Sequence, residues 1–202
     1  MQKYPIGIQD FKEIRRGGYI YIDKTEQIHH LLDMGKYYFL SRPRRFGKSL
    51  LLSTIEYLYQ GERGLFERLW IENHWDWSER YPVVHIKMSR SDYQRLGLEQ
   101  ALLNEVERAA VGLGIELKRV TLKERFEELL AVGSKQGQVV LLVDEYDKPM
   151  IDYLSLLDRM EENRSILKQF YSVIKDSDSY LRFFLLTGVS RFSKGEYFFG
   201  FE

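Results

Sequence analysis

Gly47, Lys48 and Ser49 head the segment "GKSLLLSTIEYLYQ", shortly after an apolar run that ends at Leu40. Together the three residue types suit one chemistry, the holding of a phosphate chain. Glycine lets backbone amides approach an anion, lysine carries a point charge to the β and γ phosphates, and serine offers a hydroxyl to Mg2+. A helix opening at Lys48 adds the partial positive charge of its N-terminus. The full phosphate-loop pattern, GxxxxGK[ST], asks for glycine five residues before Gly47, where this chain has Arg42. That first glycine serves the turn out of the strand, a task Pro43 can share by fixing its own φ. Arg42 is harmless there unless the position demands positive φ. The residues expected to face a nucleoside triphosphate are therefore Arg44, Arg45, Phe46, Gly47, Lys48, Ser49 and Leu50. The arginines admit two readings: a raised potential for polyphosphate, or solvated side chains on a loop.

A second signal lies in "QVVLLVDEYDKPM", where Val139 to Val143 run straight into Asp144 and Glu145. Carboxylates at the carboxyl end of a buried strand lie on the edge where open α/β sheets bind ligands. Asp144 would hold Mg2+ through water, and Glu145 would polarise the water attacking the γ-phosphate. Alone, such a pair reads equally well as the opening of a turn toward Pro149; combined with the upstream loop it points to nucleotide chemistry.

The third stretch is "YLRFFLLTGVSRFSKG". Thr187 and Ser190, at the end of its apolar run, are placed to sense the γ-phosphate, although Gly188 would equally suit a plain turn. Arg191 reads as an arginine finger or as a surface arginine. Residues 4–21, ahead of the loop, are expected near the base of the nucleotide, with Asp23 or Thr25 capping the helix that follows. The histidines at 29, 30, 74 and 85 show no metal-ligand spacing, and Trp70, Trp75 and Trp77 read as filling a satellite core.

These residues need elements to hold them. Four apolar runs, Lys36–Leu40, Val83–Met88, Val139–Val143 and Leu181–Thr187, read as strands buried on both faces, because they are rich in β-branched and aromatic residues and barely alternate. Helical patterns cover Thr25–Met34, Lys48–Gln60, Gly97–Val111, a segment opening at Thr121, and Leu156–Lys175. Thr121 and Glu124 form a capping-box signature, and residues 70–82 are expected to be a loop. Strands alternating with helices imply an α/β three-layer sandwich with a mainly parallel sheet. Phosphate-loop domains usually add a fifth strand, which is not apparent here, so the expectation is a single domain over 1–202, part of a longer protein and lacking its last strand.

Bulk composition narrows the field. Lysine plus arginine equals aspartate plus glutamate, 30 against 30, so charge alone advertises neither nucleic acid nor an anionic membrane. The 202 residues include no cysteine, which removes disulfides, thiol catalysis and cysteine-bound metals. No apolar run approaches the ~20 residues that span a bilayer, and the N-terminus lacks a signal-peptide core, so the cytoplasm is the expected location.

Four segments in this order, "YPIGIQDFKEIRRGGYIYIDKT", "FLSRPRRFGKSLLLSTIEYLY", "VVLLVDEYDKPM" and "FFLLTGVSRFSKG", resemble the bacterial AAA-ATPase-like family, over nearly the whole chain. The resemblance implies a P-loop ATPase fold with an additional strand between the Walker motifs. It implies a Walker A at 42–49, where arginine at the first position is usual, a Walker B aspartate at Asp144, a catalytic glutamate at Glu145, and a sensor-like strand end near 187–190. ATP and Mg2+ would be the cofactors, and a nuclease-like domain or another protein the partner. Asp147 and Pro149 fit the family pattern without an assigned role. Three activities remain open: an ATPase coupling nucleotide state to conformational change, a nucleotide-binding switch or scaffold with negligible turnover, and a phosphotransferase.

Overall fold

The computed structural model describes residues 3–190; Arg191 and the tail "GEYFFGFE", with the arginine-finger and last-strand expectations, lie outside them. The strands are β1 (Tyr37–Ser41), β2 (Val83–Lys87), β3 (Val139–Asp144) and β4 (Leu181–Gly188). The helices are α1 (Phe11–Arg16), α2 (Thr25–Met34), α3 (Lys48–Tyr59), α4 (Tyr93–Leu96), α5 (Leu98–Gly112), α6 (Leu122–Gly133), α7 (Lys148–Ile151) and α8 (Leu157–Asp176). Strands and long helices match the sequence expectations to within one residue at each end. The helices α1, α4 and α7 were not foreseen, because none is long enough to show a helical period. The segment expected to be a loop contains a short 3-10 turn, Trp70–Asn73, anchored by the fully buried Ile71.

All four strands run parallel in the order β1-β4-β3-β2. β3 lies inside the sheet with every residue buried, which explains its unbroken apolar run. Val139, Leu141 and Val143 pack toward α5, α6 and α8, against residues such as Phe126, Leu129 and Phe170. Val140 and Leu142 pack the other way, toward α1, α2 and α3, where Phe11, Ile28, Leu52 and Ile55 form the second core with Trp70, Trp75 and Trp77 against it. A register shift between β3 and β4 leaves Arg182 exposed and puts Leu181 and Phe184 on the same face. Helices therefore cover both faces of the sheet, in three layers. Thr121 accepts from the amide of Glu124, whose carboxylate bonds back, so the capping box that starts α6 is formed as the sequence signals. Among the described residues no helix is long and apolar enough to cross a membrane.

Candidate functional site

The loop between β1 and α3 is shaped by its backbone. Gly47 lies in the left-handed region, φ 74° and ψ 18°, as α3 begins. A Cβ there would meet nothing within 4 Å, so the demand for glycine is conformational rather than steric. Arg42 is not among the positive-φ residues, and its amide donates to the Gly188 carbonyl at 3.1 Å, prolonging the β1–β4 ladder. The missing first glycine thus costs this backbone nothing. Arg45, by contrast, takes φ 67°, an uncommon conformation for a side-chain-bearing residue.

Lys48 is only 7% exposed, and its ammonium turns back across the loop, donating to the carbonyls of Arg42 at 2.8 Å and Pro43 at 3.0 Å. The helix behind it is fixed by Leu52, Ile55, Leu58 and Tyr59, all essentially buried, so the N-terminal end of α3 is held rigidly at the sheet edge. The Ser53 hydroxyl accepts from the amide of Phe11 at 2.6 Å and ties α1 to α3.

Opposite lies the exit from β3. Glu145 takes φ 56°, at a cost of about 1–2 kcal/mol for an L-residue. Its neighbours hold it there. The amide of Tyr146 donates to the Thr187 carbonyl at 3.0 Å, and its hydroxyl to the Ser190 carbonyl at 3.1 Å. The Asp147 carboxylate, 1% exposed, accepts from the amides of Val189 and Ser190 and from the Ser190 hydroxyl, at 2.7–2.8 Å. Gly188 makes room: a Cβ would fall 2.5 Å from the Tyr146 ring and 2.9 Å from the Asp147 carboxyl carbon. Asp147, which the sequence offered without a role, pins the two strand ends together.

Because β4 lies between β1 and β3, Thr187 is brought beside Asp144, and its hydroxyl donates to Asp144 Oδ1 at 2.6 Å. Both side chains are buried, 0% and 2% exposed. Among the described residues Oδ2 of Asp144 has no hydrogen-bond donor. No three His, Cys, Asp or Glu side chains gather as a self-contained metal site among those residues. Mg2+ commonly needs fewer protein ligands, one or two carboxylates with phosphate and water supplying the rest.

A cavity of about 660 Å³ opens over this edge. Residues 5–9 form one wall; Arg44, Arg45 and residues 47–50 form another, and Glu145 reaches it from the β3 turn. Of the sequence-selected residues, Arg44, Arg45, Gly47, Lys48, Ser49, Leu50 and Glu145 share this space. Phe46 does not line it and is 68% exposed. Asp144 and Thr187 lie buried at the neighbouring strand ends, and Ser190 is turned onto Asp147.

Beside the cavity is a polar cluster that sequence reasoning missed. Asp152 accepts from Lys148 at 2.7 Å and from the Tyr93 hydroxyl at 2.5 Å. Burial pushes Asp152 up, but those hydrogen bonds and the charges of Lys148 and Arg44 outweigh it and hold the carboxyl below its usual range. Burial, then the Asp152 hydrogen bond and charge, with Glu145 adding to them, drive the Tyr93 phenol well above its ordinary value. The only available sequence signal was the spacing of Lys148 and Asp152 on one helical turn, which by itself marks an ordinary surface pair.

Residues 5–198 match the family model described as predicted AAA-ATPase. The chain is also 45% identical over 205 residues to a protein of Azotobacter chroococcum mcd 1, described as an uncharacterized protein in the vnfD 5′ region. That match covers 98% of this chain and 39% of the relative, so the chain spans well under half of the relative's length. No solved structure matches.

Proposed function

The chain belongs to the AAA-ATPase-like family of predicted AAA-ATPases, and from that premise we propose that its cavity binds ATP with Mg2+ and hydrolyses the γ-phosphate bond. One observation carries the reading. A single cavity of about 660 Å³ contains left-handed Gly47, Lys48 and Ser49 at the start of a buried helix, together with Glu145 at the carboxyl end of a parallel strand. Its volume suits a nucleotide.

In this reading the amides around Gly47 and the α3 N-terminus receive the phosphates. Lys48 exchanges its two loop carbonyls for phosphate oxygens, and Arg44 and Arg45 add positive potential at the rim. Ser49 and Asp144 would hold the metal, which when bound neutralises charge on the phosphates. Thr187, by occupying Oδ1 of Asp144, orients the carboxylate and leaves Oδ2 available. Glu145, held in its strained turn by Tyr146 and Asp147, accepts a proton from the attacking water. Residues 5–9 provide the wall for the base. The work driven by the cycle falls to a partner, a nuclease-like domain or a separate protein.

The Lys48 hydrogen bonds also favour a second reading, a switch with negligible turnover. Lys48 closes the loop on its own carbonyls, so phosphate binding there requires those two bonds to be exchanged, giving two discrete loop states. Calorimetry with Mg-ATP and steady-state phosphate release separate the two. Saturable ATP binding, with phosphate release that falls about a hundredfold or more in Glu145→Gln, supports hydrolysis. Binding without release in the native chain leaves the switch, and no ATP binding removes both.

A further inference from the structure

The strand order leaves β2 at an edge of the sheet, and none of its residues lines the cavity of about 660 Å³. The Pro82 carbonyl accepts from the Val140 amide at 2.9 Å, which fixes the phase of the ladder: Pro82, Val84 and Ile86 direct their backbone groups at β3. The N–H and C=O groups of Val83 and His85 and the N–H of Lys87 then point outward, without a partner among the described residues, while the Lys87 carbonyl caps the 3-10 turn Met88–Arg90. These same alternate residues line a second cavity, of about 220 Å³, running between α3 and α5.

Three further features make this edge more than an ordinary exposed strand. His85 bonds Glu56 through Nδ1 at 2.7 Å, and its side chain is 6% exposed, yet its Nε2 is buried without a partner, an unfinished contact beside the groove. The α5 wall is low where Ala109 and Gly112 line it, and a Cβ on Gly112 would stand in open space. The spare donors belong to cations. Arg90 and Arg108 share the buried carboxylate of Glu105 and remain about half exposed, and Lys87 has no ion-pair partner among the described residues.

We propose that the β2 edge is a docking groove for an extended acidic segment of a partner protein, which adds to the sheet as a fifth strand beside β2. The N–H and C=O groups of Val83 and His85 with the N–H of Lys87 would supply the ladder, and the side chains of Lys87, Arg90 and Arg108 would receive carboxylates projecting from the added strand. The groove's backbone is preformed, so the ordering cost falls on the incoming chain. This inference does not depend on nucleotide chemistry.

The test uses a fluorescein-labelled peptide of alternating Val and Glu, titrated against the chain without nucleotide and read by anisotropy. Saturable binding is expected, with gained hydrogen-exchange protection at the amides of Val83, His85 and Lys87. Lys87→Glu should weaken binding about tenfold, and Gly112→Trp, which fills open space, should block it. The same peptide N-methylated at alternate residues should fail to bind, a control requiring no change to the protein. Equal binding of the N-methylated peptide, or of an alternating Val and Lys peptide, would overturn the proposal in favour of non-specific surface attraction. Displacement of the peptide by glutarate at matched concentration, without amide protection, would make this a small-anion pocket. Absence of saturable binding would leave Lys87 as a charge that guards an edge.

Discussion

The Lys48 ammonium is buried against two carbonyls of its own loop, the bonds that the proposed ATP binding would exchange for phosphate oxygens. Lys48→Ala should therefore weaken ATP binding about tenfold to a hundredfold, the worth of one charge-assisted hydrogen bond, read by calorimetry. The variant should unfold at nearly the native temperature, since the freed carbonyls lie in an exposed loop and can turn to water. Unchanged ATP affinity would remove Lys48 from the site. Asp23 makes a different residue-scale case. Burial raises its pKa, but the Trp70 amide and both donors of Thr25 outweigh this and leave the carboxyl lowered. A lowered carboxyl contributes stability above its unfolded value, about 3.9, and loses that contribution as pH falls through the folded value. Thermal stability followed downward from pH 5 should fall less steeply in Asp23→Asn than in the native chain.

At the scale of elements, the two strand ends that bear Asp144 and Thr187 behave as one unit. Tyr146 and Asp147 bind the β3 exit to the β4 exit, and the fit depends on Gly188 having no side chain. Gly188→Ala should cost about 1–3 kcal/mol, because a Cβ 2.5 Å from a ring forces rearrangement in a packed interior. Gly47→Ala should cost only about 1 kcal/mol, from φ alone, since the space there is open. Denaturant unfolding of the two variants ranks them; a larger loss at Gly47 would show that the β3–β4 junction is not tightly packed. On the proposed hydrolysis, Gly188→Ala should also lower phosphate release, because Glu145 directly precedes Tyr146 and Asp147, which the added Cβ would displace.

At the scale of the whole molecule, the sheet order does the assembling. Placing β4 between β1 and β3 sets Thr187 against Asp144, while α3 and the β3 turn open onto the same edge. Much of this was readable in advance: unbroken apolar runs mark strands buried on both faces, and the periods of α2, α3, α5, α6 and α8 are long enough to stand out. The glycine–lysine–serine cluster and the acidic pair were legible because residue type and position after a strand are local properties. The β2–β3 pairing, the Asp147 clamp and the Tyr93–Asp152–Lys148 cluster were not legible, because each joins residues distant in the chain whose own segments carry no pattern; of the stretch 4–21 expected beside the site, residues 5–9 line the cavity. Local chemistry and hydrophobic period are written in neighbouring residues, so the sequence by itself determined which groups could meet a phosphate and which segments would be strands or helices. Which of those groups actually share a cavity, and which edge of the sheet is left unpaired, depend on long-range packing, and only the tertiary structure decided them.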